Sequence, residues 1–402
     1  MAAVSHGSSH GSPIDPRGRA APRRAVAAVR AAARRAGYPP GPARPREPRR
    51  PAVRVPAVPL PPAVDLYSDT QTKPTAAMRR AMADAEVGDE QQGTDPTVNR
   101  LCARVAEMLG HEAGLFLPTG TMCNLVAVAT HTSPGDAIVT SLDSHIVRSE
   151  TGGAAAYSGV ITDLLAGDRG RFSPEATAEA LAPGHVYRPW PRLVCLEQTH
   201  NFGGGTVWPL EQYRAVAEVA RTAGVAVHTD GARLFNATVA SRTEPRVWGE
   251  PVESIWIDFT KGLGAPLGAV LVGGRDFIEA ARVHKHRCGG AMRQAGIAAA
   301  GCLHALDHHI DRLAADHANA ARLAEGLSAL GVGTEPVETN MVWIDIAPTG
   351  LRAAEFLERL AARHVRMSRV EERVRAVTHL DVSADDIETA VAAVAETLEA
   401  LP

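Results

Sequence analysis

The sequence predicts an α/β protein with a large, mostly parallel sheet and a smaller α/β unit at its C-terminal end. Three observations predict it. Short apolar runs at 114–117, 137–140, 193–196, 225–227 and 254–259 each end in polar residues, as buried parallel strands do. Helical patterns stand between several of these runs, the alternation expected of βαβ units. With 402 residues, 45% of them hydrophobic, the chain can bury a core large enough for about two folded units. Aromatic residues are scarce, so packing relies on small residues and close backbone approach. We expect residues 1–62 as an extension, 63–312 as the large domain with an N-terminal arm, and 313–402 as the small domain.

The extension comes first. Residues 1–60 carry twelve arginines against Asp15 and Glu47, in a background of Pro, Ala, Ser and Gly. Such a composition cannot bury enough apolar surface to offset its ordering entropy and reads as disordered. A basic arm, an organelle transit peptide and a segment translated upstream of the real start are all open readings. The five cysteines form no CxxC pair, which argues for reduced thiols in a cytoplasmic protein. No apolar run approaches the ~18 residues of a membrane helix.

In chain order, Ser68 and Asp69 precede Pro74 and a helix-like AAMRRAMADA; either could cap a turn. Asp95-Pro96-Thr97 is a helix start, with proline in the first helical position and Leu101, Val105 and Leu109 along one face. Pro118 to Met122 follows a strand and opens another helix, whose free N–H groups make a phosphate site; Gly120 and Thr121 are the candidates. His145 follows the strand at 137–140, and His200 follows the strand at 193–197. An imidazole at a strand end suits proton transfer near neutrality, and the residues alone do not rank the two. Glu150 and the GGAAA turn behind it read as architectural.

Two strands then place Asp230 and Lys261 at consecutive strand ends, each flanked by glycine. A lysine that forms a Schiff base and an aspartate that pairs with a pyridinium nitrogen are what pyridoxal phosphate requires. Arg233 is an anion candidate that could instead orient Asp230. The segment 264–274 reads as a strand returning along the sheet edge. Residues 275–287 are helical and basic, and a glycine-rich loop then ends in Arg293. His304 and His308 have ligand spacing on a helix, but no third ligand is arranged beside them, so we expect no metal. Ser383 caps the last helix.

From about Asp65 to the C-terminus the chain resembles the low-specificity L-threonine aldolases, pyridoxal-phosphate enzymes of the β-eliminating lyase group with the aspartate aminotransferase fold (fold type I). The matching pieces stand in family order: DLYSDTQTKPT at 65, VGDEQQGTDPTVNRL at 87, LPTGTMCN at 117, HIVRSETGGAA at 145 and CLEQTHN at 195. HTDGARLFNA at 228, TKGLGAPLGAVLVG at 260, GGAMRQAG at 289, TNMVWIDI and VTHLDVS follow. The resemblance implies Ser68 and Arg375 on the substrate carboxylate and His145 against the cofactor ring. It also implies Arg293 on the cofactor phosphate of a neighbouring subunit, hence a homodimer or homotetramer with shared sites. Tyr67, Gln92 and His286 depart from the arginine, tyrosine and lysine usual at those positions.

The implied reaction is retro-aldol cleavage of L-threonine, L-allo-threonine or a related β-hydroxy-α-amino acid to glycine and an aldehyde. A transaldolase or phenylserine-type aldolase, and a β-elimination or racemisation, remain as alternatives on the same scaffold. A non-enzymatic binding protein would have lost Lys261 or the phosphate turn, and both are present. Neither nucleic acid nor membrane is expected as a partner.

Overall fold

The computed structural model describes residues 62–183 and 185–400. The extension expected over 1–62 lies outside them, except for Pro62. A short strand, β1 (Val64–Asp65), opens the described chain. Seven strands build the large sheet: β2 (Ala113–Leu117), β3 (Ala137–Ser141), β4 (Ile161–Leu165), β5 (Pro191–Glu197), β6 (Ala226–Gly231), β7 (Ser254–Asp258) and β8 (Ala269–Gly273). Their order is β2-β8-β7-β6-β5-β3-β4. β4, β3, β5, β6 and β7 pair in parallel. β8 is antiparallel to both β7 and β2, so β2 runs the same way as β7, and six strands end on one side of the sheet. That common side is where open α/β sheets bind ligands.

The stretch 264–274, expected along the sheet edge, does not form the edge. β8 lies inside the sheet and β2 forms the edge. Every residue of Ala269–Gly273 is buried because both of its neighbours and both of its faces are covered. Phe116, Val227, Ile255, Ile257 and Val270 pack on one face, and Leu115, Trp256 and Leu271 on the other.

The helix starts follow the local chemistry. Asp95 accepts the N–H groups of Thr97 and Val98 at the head of the helix Pro96–Leu109, an N-cap of a kind worth about 1 kcal/mol. Thr119 caps Gly120–His131 through the N–H of Met122. Ser383 and Asp386 form a reciprocal capping box on Ala384–Glu399.

A second core lies around β9 (Gly333–Thr334), β10 (Met341–Asp345), β11 (Val365–Arg366), β12 (Ser368–Val370) and β13 (Arg373–Val377). Four of these form an antiparallel sheet in the order β12-β13-β10-β9. β11 instead pairs in parallel with β1, and Val64 and Leu66 pack in this second core beside Phe356, Val374 and Ile387. The N-terminal arm, expected with the large domain, thus contributes to the C-terminal core. The helix Leu313–Ala329 joins the two, with Leu313 in the first core and Leu323 and Leu327 in the second. All five cysteines are free. No helix among the described residues is long and apolar enough to cross a membrane.

Candidate active site

A cavity of about 450 Å³ opens at the shared carboxyl ends of the parallel strands. It is lined by Ser68, Gly120, Thr121, His145, Asp230, Arg233, Lys261 and Arg375, eight of the ten residues singled out from sequence. A larger groove of about 600 Å³ lies on the four-stranded sheet beside Trp343 and Arg373. Arg373 is already paired with Glu335, and none of the candidate residues lines that groove, so the chemistry is assigned to the former.

Asp230 ends β6 and is buried. One of its oxygens accepts Asn124 Nδ2 at 2.7 Å and the other accepts the N–H of Ala232 at 3.0 Å. Burial, reinforced by the charge of Glu197, pushes its pKa up to about 6, the behaviour of a carboxylate hydrogen-bonded to no cation. Lys261, three residues beyond β7, places Nζ 2.5 Å from Asp258 Oδ2 and 5.8 Å from the centre of the Trp256 ring. The turn that carries it is tied to the N-terminal arm, because the Thr72 hydroxyl donates to the Lys261 carbonyl at 2.9 Å.

Gly120 and Thr121 form the first turn of their helix. Among the described residues neither N–H has a hydrogen-bond acceptor, so two donors are open to the cavity at the positive end of the helix dipole. Glycine is required at 120: a Cβ there would stand 2.2 Å from the Trp256 ring. His145 Nδ1 lies 3.0 Å from Glu150 Oε1, and its backbone N–H donates to Glu197 Oε2 at 2.6 Å. Burial alone would lower the pKa of His145. The hydrogen bond it donates to Glu150 and the charges of Asp230 and Glu197 outweigh it and hold that pKa above its ordinary value.

Ser68 is buried, and its Oγ accepts the N–H of Thr70 at 3.2 Å, so it caps a turn and lines the cavity at once. Arg375 on β13 donates to Asn201 Oδ1 at 2.9 Å and to Ser368 Oγ at 3.2 Å. Among the described residues it has no carboxylate partner. Burial, helped by nearby Arg233, brings its pKa down to about 10. A half-buried guanidinium with neutral partners is poised for an anion.

Several expectations need correcting. Arg233 does not orient Asp230. Its Nε and Nη2 each lie 2.7 Å from an oxygen of Asp69, and against the effect of burial Arg233 holds that carboxyl well below the usual range. This two-pronged pair anchors the arm that carries Ser68. His200 does not line the cavity. After β5 the backbone folds back on Thr206, and the ring turns inward against Gly170, with Nδ1 accepting the N–H of Gly203 at 3.0 Å. Arg293, expected at a neighbouring subunit's cofactor rather than its own, is exposed and bonds Asp89 at 2.8 Å, outside this chain's cavity. Glu150, read as architectural, is buried inside the site. Of the three departures only Tyr67 lines the cavity, while Gln92 and His286 are exposed elsewhere. The rings of His304 and His308 lie 4.4 Å apart, and Asp307 beside them bonds Arg104.

Sequence reasoning missed a hub. Asn124 donates to Glu150 at 2.8 Å and to Asp230, while its Oδ1 accepts Trp256 Nε1 at 2.7 Å and lies 3.2 Å from His228 Nε2. Burial keeps His228 neutral by lowering its pKa to about 3. Glu197 and Asp258 were missed as well, although each stands at a strand end, the same signal that marked Asp230.

A family model described as beta-eliminating lyase matches residues 65–349. A low-specificity L-threonine aldolase 1 of Arabidopsis thaliana is 39% identical over 81% of this chain and 93% of that protein. A low specificity L-threonine aldolase of Escherichia coli strain K12 is 39% identical over 81% of this chain and 96% of that protein. Among solved structures, a threonine aldolase of Leishmania major superposes with a TM-score of 0.72 at 20% identity, covering 83% of this chain and 99% of that one. The fold is the expected fold-type I architecture. With the sheet, the paired strand ends and the match across most of its length in agreement, the chain belongs to the beta-eliminating lyase family.

Proposed function

We propose that the chain is a pyridoxal-phosphate-dependent aldolase that cleaves L-threonine, L-allo-threonine or a close β-hydroxy-α-amino acid to glycine and an aldehyde. The observation that carries this is one cavity in which Lys261 and Asp230 stand at adjacent strand ends, beside His145 and two uncommitted helix N–H groups. These residues fit the cofactor. Asp230 is a buried carboxylate short of a cation, the helix turn is short of an anion, and Lys261 offers a primary amine.

Lys261 would hold the cofactor covalently, Asp230 its ring nitrogen, and Gly120 and Thr121 its phosphate. When bound, pyridoxal phosphate supplies an electron sink for the pair released by the breaking Cα–Cβ bond. Arg375 and Ser68 would grip the substrate carboxylate and so set which bond at Cα lies in line to break. His145, held by Glu150 through Nδ1, has Nε2 left to take the β-hydroxyl proton. The Asp69–Arg233 pair keeps the arm, and Ser68 with it, in register with the cavity.

Assembly of two or four copies, with Arg293 completing a neighbour's site, is supported by the place of Arg293 outside its own cavity. A cytoplasmic location is supported by five free thiols. A bulkier substrate, or glycyl transfer between aldehydes, is the second reading, favoured by Tyr67, Phe202 and Val370 around the cavity. The test is product analysis with cofactor-loaded protein on L-threonine, L-allo-threonine and L-phenylserine. Equal glycine and aldehyde supports aldol cleavage, and the relative rates rank the substrates. Ammonia and a keto acid without glycine would refute it in favour of elimination.

A further inference from the structure

Asp258 ends β7 and is buried, and nothing above gives it a role. Its Oδ1 accepts both the N–H and the hydroxyl of Thr260, at 2.9 and 2.8 Å. These two bonds fix the carboxylate, and its second oxygen is left aimed at Lys261 Nζ, 2.5 Å away. Building on the reading that Lys261 holds the cofactor, we propose that Asp258 is a positioning residue that holds Lys261 as an ammonium whenever the lysine is free.

The lysine is free twice: before the cofactor is loaded, and after the amine of a substrate has displaced it. In the second case a neutral amine beside Cα would be a base, and removal of the Cα proton leads to racemisation or elimination. Paired with Asp258, the nitrogen carries its full complement of protons and cannot accept another. A charge-assisted hydrogen bond is stronger than a neutral one, so the 2.5 Å contact itself favours the ammonium. The pair thereby biases one scaffold toward breaking the bond to carbon.

Loading is gated at the same contact. Nζ would give up one proton to water as it leaves Asp258, its lone pair would bond the aldehyde carbon of the cofactor, and the two hydrogens left on nitrogen would depart with the aldehyde oxygen as water. Other charged or titratable groups act on this pair from a greater distance. Arg233 and Asp69 approach from the turn after β6 and from the N-terminal arm, and these two neutralise each other. Cys123 and Cys302 approach from their helices, and burial raises both thiols well above the ordinary value. Asp230, His145, Glu150, Glu197, Tyr67, Arg369 and Arg375 also line the cavity. Among the described residues only Asp258 is within hydrogen-bond reach of Nζ.

The experiment uses the full chain stripped of cofactor. Pyridoxal 5'-phosphate is added, and the visible absorbance of the lysine-linked cofactor is followed between pH 6 and 9. Asp258→Asn should load about tenfold faster at pH 7, its rate profile moved to lower pH, and Asp258→Glu should move back toward the parent. A merely structural role would slow loading without moving the profile. A profile that is unchanged, or shifted upward, overturns the proposal. If Asp258→Asn does not fold, Asp258→Ser carries the same expectation, since its hydroxyl can still accept the Thr260 N–H. A parent chain that never develops the visible band would instead refute the cofactor reading on which this one rests.

Discussion

Asp230 should weaken the cofactor-free protein as pH rises, and the size of the effect follows from its surroundings. Buried and facing Glu197, it has a folded-state pKa lifted from 3.8 to about 6. The folded chain therefore holds the proton more tightly than the unfolded chain. This contribution to stability is complete below about pH 4 and is lost as pH rises through 6. At ~1.4 kcal/mol per pH unit the loss approaches 3 kcal/mol.

Asp230→Asn cannot ionise and removes this term. Its amide will face the Asn124 donor, which is fixed by Trp256, but that penalty does not depend on pH. Urea unfolding of the cofactor-free parent and the variant should give a stability difference that moves by about 2 kcal/mol in favour of Asn between pH 4 and pH 7. Cofactor loading should shrink that movement in the parent by giving the carboxylate a cationic partner. Parallel stability profiles for the two chains, within about 0.5 kcal/mol across that range, would show that Asp230 is not the strained carboxylate described here.

Four further outcomes are expected. Lys261→Ala should lose the visible absorbance of bound cofactor while its circular dichroism stays that of the parent; a variant that keeps both the absorbance and turnover would overturn the site. Glu150→Gln removes a group that raises the His145 pKa, so the acid limb of kcat/KM should move to lower pH, and an unmoved limb would discount His145 as the base. Arg375→Gln should raise KM for the amino acid about 10- to 100-fold, the worth of one charge-assisted hydrogen-bonding group, as measured by steady-state kinetics. Gly120→Ala drives a methyl into the Trp256 ring and should cost about 1–3 kcal/mol in a urea melt, with cofactor affinity falling alongside.

Local signals were legible in the sequence. The Asp95-Pro96 start, the Thr119-Gly120 turn and the Ser383 cap are set by contacts within a few residues, and each helix begins where its cap stands. Apolar runs ending in Asp230 and Lys261 also declared themselves, because a buried parallel strand is continuous in sequence and leaves its polar residues at one end.

Long-range partnership was not legible. His145 and His200 both follow strand ends, and no local feature separates them. Only the return of the chain from Asn201 to Thr206 turns one ring inward, while Glu197 and Glu150 hold the other at the cavity. Arg233 was read as an anion candidate that could instead orient Asp230, but its partner is Asp69, 164 residues away, brought there when β1 pairs with β11. Asn124 joins Asp230, Glu150, His228 and Trp256 from four separate segments. By itself the sequence determined the strands, their polar ends and the amine–carboxylate pair, since these depend on residue type and short-range order. The tertiary structure alone decided which histidine, arginine and carboxylate meet in the cavity, since that depends on sheet order and on burial that only the assembled fold imposes.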